Sequence, residues 1–232
     1  MAIRGIVFDK DGTLFQYQGT WARWCDAVLE RLCCGDAALK ATLADAVGFD
    51  LARQDFLAGS LIVGGSAGEV NEAWAAHLPD TTVAEIDAIA VEELSNLPNL
   101  PVCDLKALFS ELSARGIKLG IATNDYEAGA TMQLKDAQIG EFFSFVCGFD
   151  SGYGAKPGAG MIEGFCKETG LPVNEVAMVG DSTHDLGAGR AAKVALNVGV
   201  LTGPAGRDDI IHLADVVLED ISELPRLLDG LK

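Results

Sequence analysis

The chain predicts an α/β fold built on a doubly wound parallel sheet, with a separate helical segment inserted after the first strand. Short apolar runs recur at Ile3 to Phe8, Ile117 to Ala122, Phe143 to Cys147, Val176 to Val179, Ala195 to Val198 and Val216 to Leu218. Continuous runs of this length are the pattern of strands buried on both faces. From Pro101 onward the pattern alternates between helix and strand. Alternating strand and helix gives a parallel sheet with helices on both faces and right-handed crossovers. Between the first and second runs, Gln16 to Asn99 is helical in pattern throughout and rich in Ala, Leu, Glu and Asp.

The first run leads directly into Asp9-Lys10-Asp11-Gly12-Thr13. Asp and Gly favour turns for local backbone reasons, so this stretch taken alone also fits a plain turn. Next come apolar side chains at helical spacing in Trp21 to Leu32, Leu39 to Val47, Gly68 to Leu78 and Thr82 to Leu94. Trp21, Trp24 and Trp74 are expected in the core of this segment. Gly59 to Gly68 reads as a loop, and Ser66 within it and Arg53 before it are candidates for reading a leaving group. In the second half, Asp104 to Arg115 is a helix stopped by Gly116. Helices are also expected over Glu127 to Ala137, Gly158 to Thr169, Asp185 to Ala192 and Ile221 to Leu231. Residues 1–16 and 100–232 therefore form the α/β core, and 17–99 an inserted all-α domain. An insertion just beyond a catalytic strand end is expected to act as a lid.

Parallel strands end on one shared edge, so the residues that follow them should converge: Asp9 and Asp11, then Thr123 and Asn124, then Lys156, then Asp181 and Asp185. In order, Asp9-Lys-Asp11-Gly-Thr13, Ala122-Thr123-Asn124, Ala155-Lys156-Pro157 and Gly180-Asp181-Ser-Thr-His-Asp185 resemble the four signature motifs of the haloacid dehalogenase-like superfamily. The likeness extends over nearly the whole chain. It is to the branch with a helical cap after the first motif, which includes phosphoglycolate phosphatase-like enzymes. The resemblance implies a Rossmann-like core and a phosphatase acting on a small phosphorylated metabolite with Mg²⁺.

Phosphoryl transfer needs an in-line nucleophile, positive charge on the oxygens that gather electrons, and a group for the leaving-group proton. Asp9 is the expected nucleophile, forming an aspartyl-phosphate. Asp11 is the expected general acid and then base, although an ordinary Asp titrates near 3.9. The resemblance implies metal ligation by Asp9, Asp181 and the Asp11 carbonyl, with phosphate and waters completing an octahedral shell. Thr123 and the following amides, Asn124 among them, would bind phosphoryl oxygens. Lys156 would neutralise both phosphate and Asp9, with Pro157 handing its loop to a helix, and Asp185 would orient from behind. Thr123-Asn124-Asp125 also reads as a helix N-cap. Side chains alternate in direction along an extended chain, so Lys10 should point away from the phosphate. The motif does not require His184.

Composition narrows the partners. The formal charge of −17 argues against a protein that grips nucleic acid or an anionic membrane through its bulk field. An anionic substrate would then need local positive charge from a cation, a lysine and helix N-termini. No apolar stretch reaches the roughly 20 residues of a bilayer span, and the first strand begins without a signal-like segment. The expected location is cytoplasmic, with the six cysteines as small buried hydrophobes in a reducing compartment. Monomer and homodimer both remain open. A dehalogenase would not need Asp11. A phosphomutase would use the same intermediate but return the phosphoryl group to sugar. A phospho-aspartyl receiver module would be shorter and would lack the insertion and the second acidic cluster.

Overall fold

The computed structural model describes residues 2–17, 20–57, 59–94 and 100–231. The chain divides into two compact units, Met1–Tyr17 with Asn99–Lys232, and Gln18–Pro98. The expected domain junction at residue 99 lies outside the described residues.

The first unit is built on a six-stranded parallel sheet. Its strands are β1 (Gly5–Phe8), β2 (Lys118–Ala122), β3 (Phe143–Cys147), β4 (Val176–Gly180), β5 (Leu196–Val200) and β6 (Val216–Leu218). They lie in the spatial order β3-β2-β1-β4-β5-β6. Phe8 of β1 pairs with Ile121 of β2 on one side and with Val179 of β4 on the other. The chain thus builds outward from β1 in one direction, returns, and continues in the other. That reversal, between β1 and β4, is where doubly wound sheets open a crevice at the carboxyl ends of their strands.

Every residue of β1 is buried, and the alternation of its side chains feeds two cores. Ile6 and Phe8 pack with Phe109, Leu112, Val179 and Val198 on one face, and Phe8 meets Phe109 edge-on at 5.5 Å. Val7 packs with Met178, Ile162 and Phe165 on the other. Covering both faces removes the central strand from water, so its exit is a fixed platform rather than a mobile turn. The flanking helices are Leu105–Ala114, Glu127–Asp136, Gly160–Thr169, Thr183–Ala192 and Leu224–Gly230. Asp104 caps the first of these by accepting from the Ala107 amide, which satisfies an otherwise orphaned donor.

The second unit carries the helices Thr20–Cys33, Ala37–Val47, Leu61–Gly64, Ala67–Ala75 and Val83–Leu94. Trp24 lies between Trp21 at 5.0 Å and Trp74 at 5.9 Å. The Trp24 and Trp74 indoles donate to the carbonyls of Ala90 and Leu43 at 2.9 and 3.1 Å, so these rings are core. The unit is not wholly α. Phe49–Asp50 pairs antiparallel with Asp55–Phe56, and two-residue strands are too short to leave an alternating pattern in the sequence.

Ser66, expected on a loop, is buried. Its hydroxyl accepts from the Glu69 amide, and Glu69 reaches back to the Ser66 amide at 2.7 Å. This is a capping box for Ala67–Ala75, which commits the serine to its helix. All six cysteines are free; Cys25, Cys33 and Cys147 are buried, whereas Cys34 is exposed. No helix among the described residues is long and apolar enough to cross a membrane.

Candidate active site

Because β1, β2 and β4 are adjacent and parallel, the residues that follow them lie side by side. Asp9, Thr123, Lys156, Asp181 and Asp185 are all buried. Lys156 is the hub, its ammonium 2.5 Å from Asp9 Oδ1 and 2.6 Å from Asp185 Oδ1. Asp9, Asp181 and Asp185 each offer a carboxylate oxygen, and these lie within 4.8 Å of one another.

Each member is held by its own local device. Asp185 is the third residue of a helix whose N-cap is Ser182, and its Oδ2 accepts from the Ser182 amide at 2.9 Å and hydroxyl at 2.6 Å. The capping box that starts this helix therefore also aims the other Asp185 oxygen at Lys156. Asp181 Oδ1 accepts from the Thr13 hydroxyl at 3.1 Å. Its carboxylate is roofed by backbone: a Cβ built on Gly203 would fall 1.7 Å from Asp181 Oδ2. A Cβ on Gly12, where φ is +86°, would fall 2.7 Å from the same oxygen. The Thr202 hydroxyl donates to the Gly12 carbonyl at 2.5 Å, tying the loop after β5 to the loop after β1.

Lys156 hangs on Asn124. The Asn124 carboxamide donates to the Lys156 carbonyl at 3.1 Å and accepts from the Lys156 amide at 2.8 Å. The Asn124 side chain is thus spent on the loop, which leaves its backbone for any phosphate contact. Lys156–Pro157 is cis, and the helix begins three residues later at Gly160, so Pro157 shapes the loop rather than the first helical turn. Thr123 accepts from the Asp125 amide at 3.1 Å, and its own O–H proton can still be donated.

The expected N-cap at 123–125 does not form. Helix Glu127–Asp136 starts from Tyr126 without a side-chain cap, and Asp125 turns instead to Lys10. Asp11 belongs to that second cluster as well. Lys10 is fully buried, with its ammonium 2.5 Å from Asp11 Oδ2, 3.4 Å from Asp125 Oδ2 and hydrogen-bonded to Gln133 Oε1. Lys10 thus makes its contacts with Asp11, Asp125 and Gln133, whereas Lys156 makes its own with Asp9 and Asp185. His184 is half-buried, and its side chain makes no hydrogen bond or ion pair among the described residues.

Electrostatics separate the members. Burial is the main cause pushing the Asp9 carboxyl up, to about 7; Lys156 pulls it down, and Asp185 and Asp11 push it further up. Burial, then Asp185 and Asp9, hold Asp181 well above the usual carboxylate range. Burial would lower the Lys156 ammonium, but Asp185 and Asp9 outweigh it and leave it above its ordinary value. One cation thus faces three buried carboxylates. The excess negative charge and the all-oxygen donor set suit a hard divalent cation.

The sequence pointed to Asp9, Lys156, Asp181 and Asp185, and the fold gathers them. It did not mark Thr13, Thr202 or Gly203 as supports. Both threonines act through single hydroxyls, and Gly203 through what it lacks.

A family model described as haloacid dehalogenase-like hydrolase matches residues 3–193. The D-glycero-beta-D-manno-heptose-1,7-bisphosphate 7-phosphatase of Haemophilus influenzae is 43% identical over 77 residues, 33% of this chain and 42% of that protein. The chain thus spans less than half the length of that relative. The phosphoglycolate phosphatase of Rhodospirillum rubrum is 28% identical over 233 residues, covering 95% of this chain and 89% of the other. Among solved structures, CbbY from Rhodobacter sphaeroides in complex with phosphate superposes with a TM-score of 0.69 at 17% identity, covering 96% of each chain. The chain belongs to the haloacid dehalogenase-like hydrolase family.

Proposed function

We propose that the protein is a Mg²⁺-dependent phosphatase that hydrolyses a small-molecule phosphomonoester through an aspartyl-phosphate on Asp9. The observation that carries this reading is the contact of Lys156 with both Asp9 and Asp185, with Asp181 beside them, at the carboxyl ends of adjacent parallel strands. A nucleophilic carboxylate must be ionised to attack, and burial opposes this at Asp9. Lys156 offsets part of that opposition. Asp9, Asp181 and the Asp11 carbonyl would hold the cation, with Asp185 behind them. When bound, the cation supplies the remaining charge compensation on Asp9 and on the phosphoryl oxygens.

In the first half-reaction Asp9 forms an O–P bond as the ester P–O bond breaks, and the departing oxygen takes a proton from Asp11. In the second, water attacks phosphorus, Asp11 takes the water's proton, and the bond to Asp9 breaks with release of phosphate. The Thr123 hydroxyl and the amides after it bind the equatorial oxygens, and Lys156 neutralises them.

The substrate class is a small phosphorylated acid or sugar, in keeping with the phosphoglycolate and heptose bisphosphate in the relatives' names. The test is phosphate release from a panel of such esters with Mg²⁺, together with product analysis. Free phosphate that is lost in Asp9→Asn and on chelation supports hydrolysis. An isomerised sugar phosphate without free phosphate, or full activity in Asp9→Asn, refutes it.

A further inference from the structure

The mechanism above uses Asp11 but leaves unexplained the buried lysine attached to it. Lys10 is fully shielded from water and is fixed from three elements at once. Asp11 lies on its own loop, Asp125 on the loop after β2, and the buried Gln133 on the helix Glu127–Asp136. Asp125 is itself anchored, its Oδ1 accepting from the Tyr126 amide at 2.7 Å. Burying an ammonium costs several kcal/mol, and well-packed apolar side chains often serve stability as well as a buried ion pair does. Stability alone therefore does not account for Lys10. The geometry does: the ammonium holds Asp11 at Oδ2, 2.5 Å away, while Asp125 and Gln133 fix the ammonium from two other elements, so the place of the Asp11 carboxylate is set by packing outside its own loop.

We propose that Lys10, braced by Asp125 and Gln133, is a positioning residue that holds the Asp11 carboxyl in place for proton transfer to and from the ester oxygen. The inference rests on the phosphatase reading. It draws on the Lys10 contacts to Asp11, Asp125 and Gln133 and not on those of Lys156 to Asp9 and Asp185.

The experiment exploits leaving-group chemistry. A p-nitrophenolate departs without needing a proton, whereas an alkoxide needs one, and kcat/KM reports the step in which it leaves. Two esters are compared: p-nitrophenyl phosphate, and phosphoglycolate or whichever alkyl ester of the panel wild type turns over best. Asp11→Asn sets the reference, with kcat/KM on the alkyl ester falling about 10²- to 10⁴-fold and far less on the aryl ester. Lys10→Met is expected to show the same split, with the alkyl ester losing at least about tenfold more than the aryl ester and KM nearly unchanged.

If Lys10→Met does not fold, two other variants carry the test. Lys10→Met/Asp125→Asn strands no lone Asp125 charge, and Gln133→Leu keeps the ion pair but removes a brace. Equal losses on both esters, or none on either, overturn the inference while leaving the phosphatase reading intact. Wild type that releases no phosphate, or Asp9→Asn that still does, overturns the reading and the inference together.

Discussion

Two buried lysines contact the aspartates that follow β1, and their surroundings differ in one respect. Lys156 contacts Asp9 and Asp185 with Asp181 close by; Lys10 contacts Asp11, Asp125 and the neutral amide of Gln133. In both cases burial pulls the ammonium down and the carboxylates more than restore it. The Lys156 group, however, is one carboxylate richer, and its surplus is shared among three side chains. A surplus of buried negative charge cannot persist unanswered, so that cluster takes up protons or a cation. The Lys10 group substitutes a carboxamide at the corresponding place and is closer to balance. One cluster is built to receive something, the other to hold something still.

The largest effect is expected where the two clusters divide the chemistry. Asp9→Asn should lower phosphate release on the order of 10⁴-fold or more, since removing a nucleophile abolishes the covalent route. Asp181→Asn sharpens the contrast on stability. Without metal it removes one of three mutually repelling buried carboxylates and should raise the melting temperature, whereas Asp125→Asn removes a partner of Lys10 and should lower it. Melting both variants in chelator reads this directly. If Asp181→Asn is the less stable of the two, the surplus-charge account fails.

A smaller effect concerns pH. The folded-state value for Asp9, about 7, lies above the roughly 3.9 of an unfolded Asp. The native chain therefore holds a proton that the unfolded chain has lost, and stability from this group declines as pH climbs from about 4 through 7. Metal-free protein should melt progressively lower between pH 5 and pH 8. Added Mg²⁺ should flatten that slope, because a cation replaces the proton as the answer to the surplus. Asp125 is also raised, by burial first, with Lys10 pulling it down and Asp11 pushing it up; Asp9, Asp181 and Asp185 are not among its causes, so its share of the slope should survive Mg²⁺. A slope identical with and without Mg²⁺ would show that the ion is not bound among Asp9, Asp181 and Asp185.

The two clusters also differed in how far the sequence revealed them. Asp9, Lys156, Asp181 and Asp185 each follow an apolar run of strand length, and parallel strands share an edge, so order along the chain was enough to bring them together. For Lys10 the sequence offered only the alternation of side chains along an extended strand. Its partners were not legible: Gln133 is 123 positions away on a helix, and Asp125 read as a cap because Asp is a common capping residue. Which of two compatible roles a polar residue takes is decided by packing. Ser66 shows the converse, since a serine in a glycine-rich stretch was open to a ligand until Glu69 three residues later closed it into a capping box. The hairpin at Phe49–Asp50 and Asp55–Phe56 is set by contacts too few to leave a period.

The smallest expected effect separates a ligand contact from a brace. The Asn124 carboxamide grips Lys156 at both its amide and its carbonyl, and each such bond contributes about 0.5–1.5 kcal/mol net. Asn124→Ala should therefore lower the melting temperature by a few degrees and reduce kcat moderately by loosening the lysine, without removing any group from the phosphate. Because the effect runs through Lys156, it should nearly vanish when Lys156 is already Gln, so the two substitutions should be strongly non-additive in kcat. A side chain that bound phosphate itself would behave otherwise, weakening inhibition by inorganic phosphate to the same extent in either background. Additive losses in the double variant would return Asn124 from the brace to the binding site and leave the rigidity of Lys156 to the rest of its loop.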